Sequence, residues 1–305
     1  MPTYKEVSKI KSDFILKRED AIKNTLATLQ GNLYDKLFAD FVKIATNKAA
    51  GKEVDINKLQ IQFKRFYNLG FPEVMKQTLS AARSLSDLNQ MYFSTLLESD
   101  RLDEIHNKTK SLVEKRLGID ENGKLKKGGF TDKILENQRV QKLFVKEVKT
   151  ILGGNPDIGL MQEKLKNFII GNKNSTGILE SHYRNYAQNI LTGIDRSNSV
   201  VYADELGLQS FYYGGGLIKT SRKMCLKNNG KIFTRAQAEK WRDLPEIRDM
   251  YGDNIADYDP LVDMGGFGCR HTPDWITQDI ANKLKGENNA KAKEKNDAFK
   301  ERNDL

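Results

Sequence analysis

Cysteine and histidine are scarce in this chain: Cys225 and Cys269 are its two thiols, and there are three histidines in 305 residues. Two thiols cannot build a disulfide scaffold, and in a reducing compartment they stay as thiols or metal ligands. No stretch approaches the roughly eighteen apolar residues that cross a bilayer, and the opening MPTYKEVSKIKSDF lacks the apolar core of a secretory leader. The expectation is a chain made in the cytoplasm, soluble there and without a membrane partner. Aromatic RNA-binding signatures, zinc-finger spacings and basic blocks are also missing, which argues against the standard nucleic-acid modules.

Charge is plentiful. Charged residues make up 30% of the chain and hydrophobic ones 38%, the mixture of a polar, rather helical globular protein. Fifty Lys and Arg stand against 41 Asp and Glu, a net +9 spread thinly over the sequence. That excess suits contact with nucleic acid or another polyanion as readily as it suits a plain solvated surface.

Apolar residues recur at helical spacing through the first 117 positions. Ile22, Leu26, Leu29, Leu33, Leu37, Phe41 and Ile44 form one stripe of a long helix running past Gly31, either core or a face for a partner helix. Asp55 is expected to cap a second helix with Ile56, Leu59, Phe63 and Phe66 inward, stopped at Gly70 and Pro72. Helical pattern then continues to Leu117, with Leu85, Leu88, Tyr92, Leu96 and Leu97 on its buried side.

Residues 117–130, LGIDENGKLKKGGF, read as two short extended pieces about an Asn122-Gly123 turn. Gly118, Gly123 and Lys124 have the spacing of a phosphate loop. Leu125 stands where the magnesium-binding hydroxyl belongs, however, and a helix instead of a strand leads in, which argues against a nucleotide site. Thr131 is expected to cap a helix carrying Ile134, Leu135, Val140, Leu143, Phe144 and Val148, and the run from Gly153 to Pro156 marks the best boundary. A helix near 160–170, the break GNKNSTG and a long helix over 178–206 follow. The resulting division is 1–117, 118–155, 156–280 and a polar tail, 281–305, expected as an exposed helix or disordered.

Between Gln209 and Trp275 the period leaves the helix. QSFYYGGGLIKT offers β-prone pieces around three glycines, and CLKNNGKIF offers two more about Asn229-Gly230, a hairpin signal. Thr234 should cap a short helix that presents Trp241 to the core. The expected fold class is α+β, predominantly α-helical: long amphipathic helices in the N-terminal half and a small α+β C-terminal unit with short antiparallel strands.

Cys269 and His271 are two apart, so an extended segment puts both on one face, where Cys225 meets them if its hairpin packs against that strand. Three such ligands suit zinc, with water, His182 or Asp263 as a fourth, although structural sites ordinarily use four Cys or His. A Cys nucleophile with His271 as base lacks an orienting third group. The plainest reading is two buried thiols and a histidine that hold the unit closed. Arg270, on the opposite face, is expected to pair with Asp253, Asp257, Asp259 or Asp263.

A long helix ended by glycine, an aromatic strand, TSRKMCLKNNGKIFTRAQAEKW, a polar insert and DPLVDMGGFGCRHTPDW together resemble the phage minor head proteins typified by the Mu F protein. The first matching block is Ser221, Arg222, Cys225, Gly230, Lys231 and Phe233; the second is Gly266, Phe267, Cys269, Arg270 and His271. The likeness spans roughly residues 160–280. It implies a structural virion component on the inner side of the head, present in few copies near the portal, and in the host cytoplasm during assembly. It further implies help in head assembly or in genome packaging and ejection, without catalytic activity or cofactor. Portal protein, major capsid protein and non-specific packaged double-stranded DNA are the implied partners. The stripe around Leu29, Leu33 and Leu37 would dock on portal or capsid, and Lys-rich surfaces and the tail would face DNA. Some relatives carry C-x-x-C in the first block and a further His in the second, which would complete a metal site; this chain has one Cys and lacks that His. The alternatives are a Cys/His-dependent enzyme or toxin effector, with or without zinc, and a general DNA-binding protein.

Overall fold

The computed structural model describes residues 2–119, 126–127, 138–154, 157–266 and 268–303, leaving aside the side chains of 67–72, 138–139 and 182–189. The expected turn at Asn122-Gly123, the Thr131 cap, Ile134, Leu135 and Phe267 lie outside the described residues. The chain runs α1 (Tyr4–Ala49), α2 (Asn57–Ser94), α3 (Leu102–Leu117), α4 (Gln138–Gly154) and α5 (Ile158–Ile169). A minute ladder of β1 (Gly171–Asn172) and β2 (Ser175–Thr176) follows, then α6 (Ile178–Glu205), β3 (Ser210–Gly214) and α7 (Lys223–Asn228). Next come β4 (Ile232–Thr234), α8 (Arg235–Glu239), α9 (Pro245–Tyr251), β5 (Thr272–Ile276) and α10 (Gln278–Asn303). This is an α+β fold, mostly helical, with its short antiparallel strands towards the C-terminus.

Two compact units divide these elements, and neither is a continuous stretch of chain. A sheet unit comprises 1–16, 81–113 and 188–305; a helical unit comprises 17–80 and 114–187. The two units cut across the linear division read from the sequence, because α1, α2, α3 and α6 each supply residues to both.

In the helical unit the stripe of α1 is internal: Ile22, Leu26, Leu33, Leu37 and Phe41 are each at most 1% exposed. Docking of Leu33 and Leu37 on a partner is thereby overturned, since their faces are already covered by this chain. Leu29 and Ile44 are half-buried, and Gln30 and Ala45 occupy the buried positions beside them. Gln30 has a reason to be there: its Oε1 accepts the backbone N–H of Glu180 at 2.7 Å, satisfying a donor in the open first turn of α6. Gly177 makes room for it, because a Cβ there would lie 2.6 Å from that oxygen. Phe63 of α2 stacks on Phe144 of α4 with ring centres 4.2 Å apart, whereas Leu143 is 44% exposed, contrary to its expected place inside.

The expected stop at Gly70 and Pro72 does not occur; α2 runs straight through to Ser94. Proline removes one helical hydrogen bond, and the buried run Val74, Met75, Ala81, Ala82 and Leu85 beyond it continues the helix's packing. Tertiary burial outweighs the local breaker.

The sheet unit is built on strand order β4-β3-β5, all antiparallel, with Phe211 opposite both Phe233 and Trp275. Alternation sends Phe211, Tyr213, Phe233 and Trp275 to one face, where Trp241 meets the first three edge-on at 5.3–6.0 Å. Tyr212, Ile232, Asp274 and Ile276 take the other face, with Tyr4 of α1 and Leu284 of α10 around them. Thr234 forms a full capping box with Gln237 at the start of α8, as its sequence suggests.

The expected hairpin within CLKNNGKIF is corrected. Residues 223–228 form the one-and-a-half-turn helix α7, which buries Met224, Cys225, Leu226 and Asn228, and Asn229-Gly230 links that helix to β4. Gly230 has φ +78°, and its missing Cβ lets α10 approach at Ala292. The tail is ordered as helix α10 despite its polarity. Asn289 accepts from Ile232 N at 2.7 Å and donates to Ile232 O at 3.3 Å, and Asn288 donates to Gly230 O at 3.1 Å. These amides satisfy the free edge of β4, which would otherwise stand open.

Candidate functional site

Two segments bring three of the sparse Cys and His residues together. Helix α7 supplies Cys225, and the extended segment leading into β5 supplies Cys269 and His271; they are 3%, 4% and 2% exposed. Their ligating atoms all lie within 4.8 Å of one another. Sγ to Sγ is 3.7 Å, and Cys269 Sγ to His271 Nδ1 is 3.6 Å. The Tyr213 hydroxyl of β3 lies 3.6 Å from Cys225 Sγ, with its ring 4.7 Å from the imidazole. The thiols are free, not bonded as a disulfide.

The far nitrogen of His271 is also held. Nε2 lies 3.2 Å from Asn229 Oδ1. The Asn229 amide donates from Nδ2 to Asn296 Oδ1 at 3.2 Å, and Asn296 Nδ2 donates to Asn229 O at 2.8 Å. With the amide oriented in this way, Nε2 must carry the proton, which leaves the Nδ1 lone pair facing the sulfurs. Tail helix α10 thus sets the tautomer of a histidine through one asparagine.

Arg196 of α6 is the largest support, and nothing in its local sequence signals it. Its guanidinium, 5% exposed, donates to His271 O at 2.7 Å, Cys269 O at 2.6 Å, Val262 O at 2.9 Å and Asp263 O at 3.3 Å. Among the described residues it has no carboxylate partner, so its charge acts on the cluster. The Cys269 thiol is held well below its ordinary range by the hydrogen bond from Cys225, then by His271 and Arg196, against the upward push of burial. Cys225 is raised by that same bond and by burial.

The remaining motif residues build the frame. Ser221 Oγ accepts Ile218 N at 2.9 Å, and Arg222 starts α7 and donates to Gly265 O at 3.1 Å. A Cβ at Gly265 would strike Cys225 Sγ at 2.5 Å, and one at Gly266, φ +83°, would strike Met250 Sδ at 2.2 Å. Lys231 O accepts Tyr213 N at 2.8 Å, and Phe233 packs on Trp241. Arg270 is exposed and makes no ion pair among the described residues, so its expected bridge to Asp253, Asp257, Asp259 or Asp263 is not formed. Asp263 is no fourth ligand: its Oδ2 accepts Asp259 N at 2.8 Å. The side chain of His182 lies outside the described residues.

A second buried polar group sits elsewhere in the same unit. Lys11, 3% exposed, pairs with Asp195 at 3.0 Å, and Asn89 bridges the two, accepting from Lys11 at 2.9 Å and donating to Asp195 at 2.8 Å. On the outer face of the sheet, a cavity of about 240 Å³ is lined by Tyr4, Ser8, Tyr212, Asp274 and Asn288 among others.

No protein-family model, no curated protein and no solved structure matches the chain.

Proposed function

We propose that the chain is a structural minor head protein of a tailed phage, without catalytic activity, working inside the head beside the portal during assembly or genome packaging and ejection. The observation that carries this reading is the closure of its two signature blocks. Ser221 to Phe233 and Gly266 to His271 pack as one knot within the sheet unit, with Cys225 and Cys269 sulfurs 3.7 Å apart. Burial of all three chemically versatile side chains fits a clasp and leaves a substrate no contact with Cys269.

Charge supports the DNA side of the reading and narrows it. The helical unit holds 25 Lys and Arg against 16 Asp and Glu, whereas the sheet unit holds 25 against 25, so the whole +9 falls in the helical unit. Lys142, Lys146 and Lys149 stand exposed at i, i+4 and i+7, on one face of α4. Such a row suits salt-sensitive phosphate contacts that carry no sequence information. The tail from 278 on has seven basic and six acidic residues, so it contributes little to the excess.

The test is incorporation. Heads assembled in cells from portal, scaffold and major capsid protein, with this chain co-expressed, are purified and analysed by mass spectrometry. Recovery of several copies per head is expected; its absence from purified heads would defeat the reading.

A further inference from the structure

We propose that Cys225 Sγ, Cys269 Sγ and His271 Nδ1 bind one zinc ion, as a buried structural site that locks α7 to the segment before β5. Zinc bonds of about 2.3 Å to sulfur and about 2.0–2.1 Å to nitrogen place two tetrahedral sulfurs about 3.8 Å apart, and sulfur and nitrogen about 3.6 Å apart. The chain holds the two sulfurs at 3.7 Å and Cys269 Sγ at 3.6 Å from His271 Nδ1, and all three ligand atoms lie within 4.8 Å of one another, so the ion draws the imidazole and Cys225 together along the remaining edge.

The surroundings match what a metal-bound histidine needs. Its outer nitrogen is engaged by Asn229, as metal-ligating histidines usually engage a partner, and Asn296 fixes the Asn229 amide in the correct sense. Arg196 grips the carbonyls of both Cys269 and His271, so two ligands are held in place by their own backbone. Gly265 leaves the space beside the sulfurs clear, and the Tyr213 hydroxyl stands 3.6 Å from Cys225 Sγ. Two thiolates and an imidazole select a soft or borderline ion; calcium and magnesium require oxygen ligands, and an iron-sulfur cluster takes four protein ligands, one more than this group offers.

This inference does not depend on the phage reading, and its test uses purified protein alone. The full chain is prepared under reducing conditions, stripped with chelator, shown to be folded by circular dichroism and titrated with cobalt(II). One equivalent is expected to give thiolate-to-cobalt charge-transfer absorption with tetrahedral visible bands, and zinc is expected to displace it. Zinc should also protect both thiols from alkylation. Asn229→Ala, which removes the outer acceptor together with the amide's bond to Asn296 and touches no ligand atom, should weaken zinc binding by about tenfold, and Cys225→Ser should abolish the charge-transfer band. A folded wild-type chain that gives no such band overturns the proposal, whatever the variants do. A band that survives in the Cys225→Ser, Cys269→Ser double variant overturns it as well.

Discussion

The two units of this molecule are stabilised by different physics and carry different charge. The helical unit follows its sequence closely: an apolar stripe on α1, a Phe63–Phe144 stack and basic outer faces. The sheet unit is electrically neutral and is tied together by buried polar atoms that belong to distant segments, with Arg196, Asn229, Asn289 and the Lys11–Asp195 pair as its fasteners. Burial of apolar area is tolerant of exact placement, whereas a buried cation or amide is worth having only when each partner is in position. The helical unit is therefore free to vary its surface, and the difference points to a division of labour between a basic contact surface and a fixed clasp.

The strongest challenge to that contrast is Arg196→Met. It strips four backbone carbonyls of their donor without creating a large void, and should cost at least about 3 kcal/mol by urea unfolding, with both thiols becoming reactive. Leu37→Ala in the helical unit should cost about 2–5 kcal/mol through its cavity while leaving the thiols protected in the folded chain. Equal thiol exposure in the two variants would erase the distinction between the units.

Charge gives the next largest effect. Replacing Lys142, Lys146 and Lys149 together by Gln should lower the salt slope of duplex DNA binding by about one per lysine engaged. The matched set Lys283, Lys293 and Lys295 on α10, exposed but set among acids, should change it little. The reverse ranking would move DNA contact to the sheet unit.

Asn289→Ala should remove about 1–2 kcal/mol, the worth of its two bonds to Ile232, and hydrogen exchange at the Ile232 amide should rise while the α1 stripe stays protected. The smallest effect concerns Asp274. Burial raises its carboxyl above the ordinary value, with Lys11 and the Ser8 hydrogen bond acting in the other direction. A carboxyl raised on folding contributes stability that is complete below its unfolded pKa, about 4, and is lost as pH climbs through the folded value. Asp274→Asn should therefore gain on the wild type as pH rises from about 4 through the raised folded value, seen as a thermal midpoint difference that grows with pH. A constant difference would mean that Asp274 is ionised throughout.

Much of this architecture was legible beforehand. The long helices, the Thr234 cap and the closing glycine at 207 follow from periodicity and cap chemistry, and the two-residue spacing pairs Cys269 with His271; Cys225 joins them from a helix, not from the hairpin that its sequence suggested. Pro72 misled because a local breaker acts on one hydrogen bond, while several buried side chains beyond it act together. Asn229-Gly230 misled because the same pair that turns a hairpin also ends a short helix, and residues 223–228 are too few to show a period. The tail misled because its asparagines look like solvated polar residues until a strand edge is set against them.

By itself the sequence determined where the long helices lie, which residues of the α1 stripe seek the interior and where the thirty per cent of charged side chains produce an excess, because those properties depend on neighbours within a few positions. Only the tertiary structure decided that the α1 stripe is already covered, that Arg196 anchors the cysteine loop and that an asparagine on the tail orients His271. Each of those contacts joins residues tens of positions or more apart, and a polar atom's partner is set by where the folded backbone brings it.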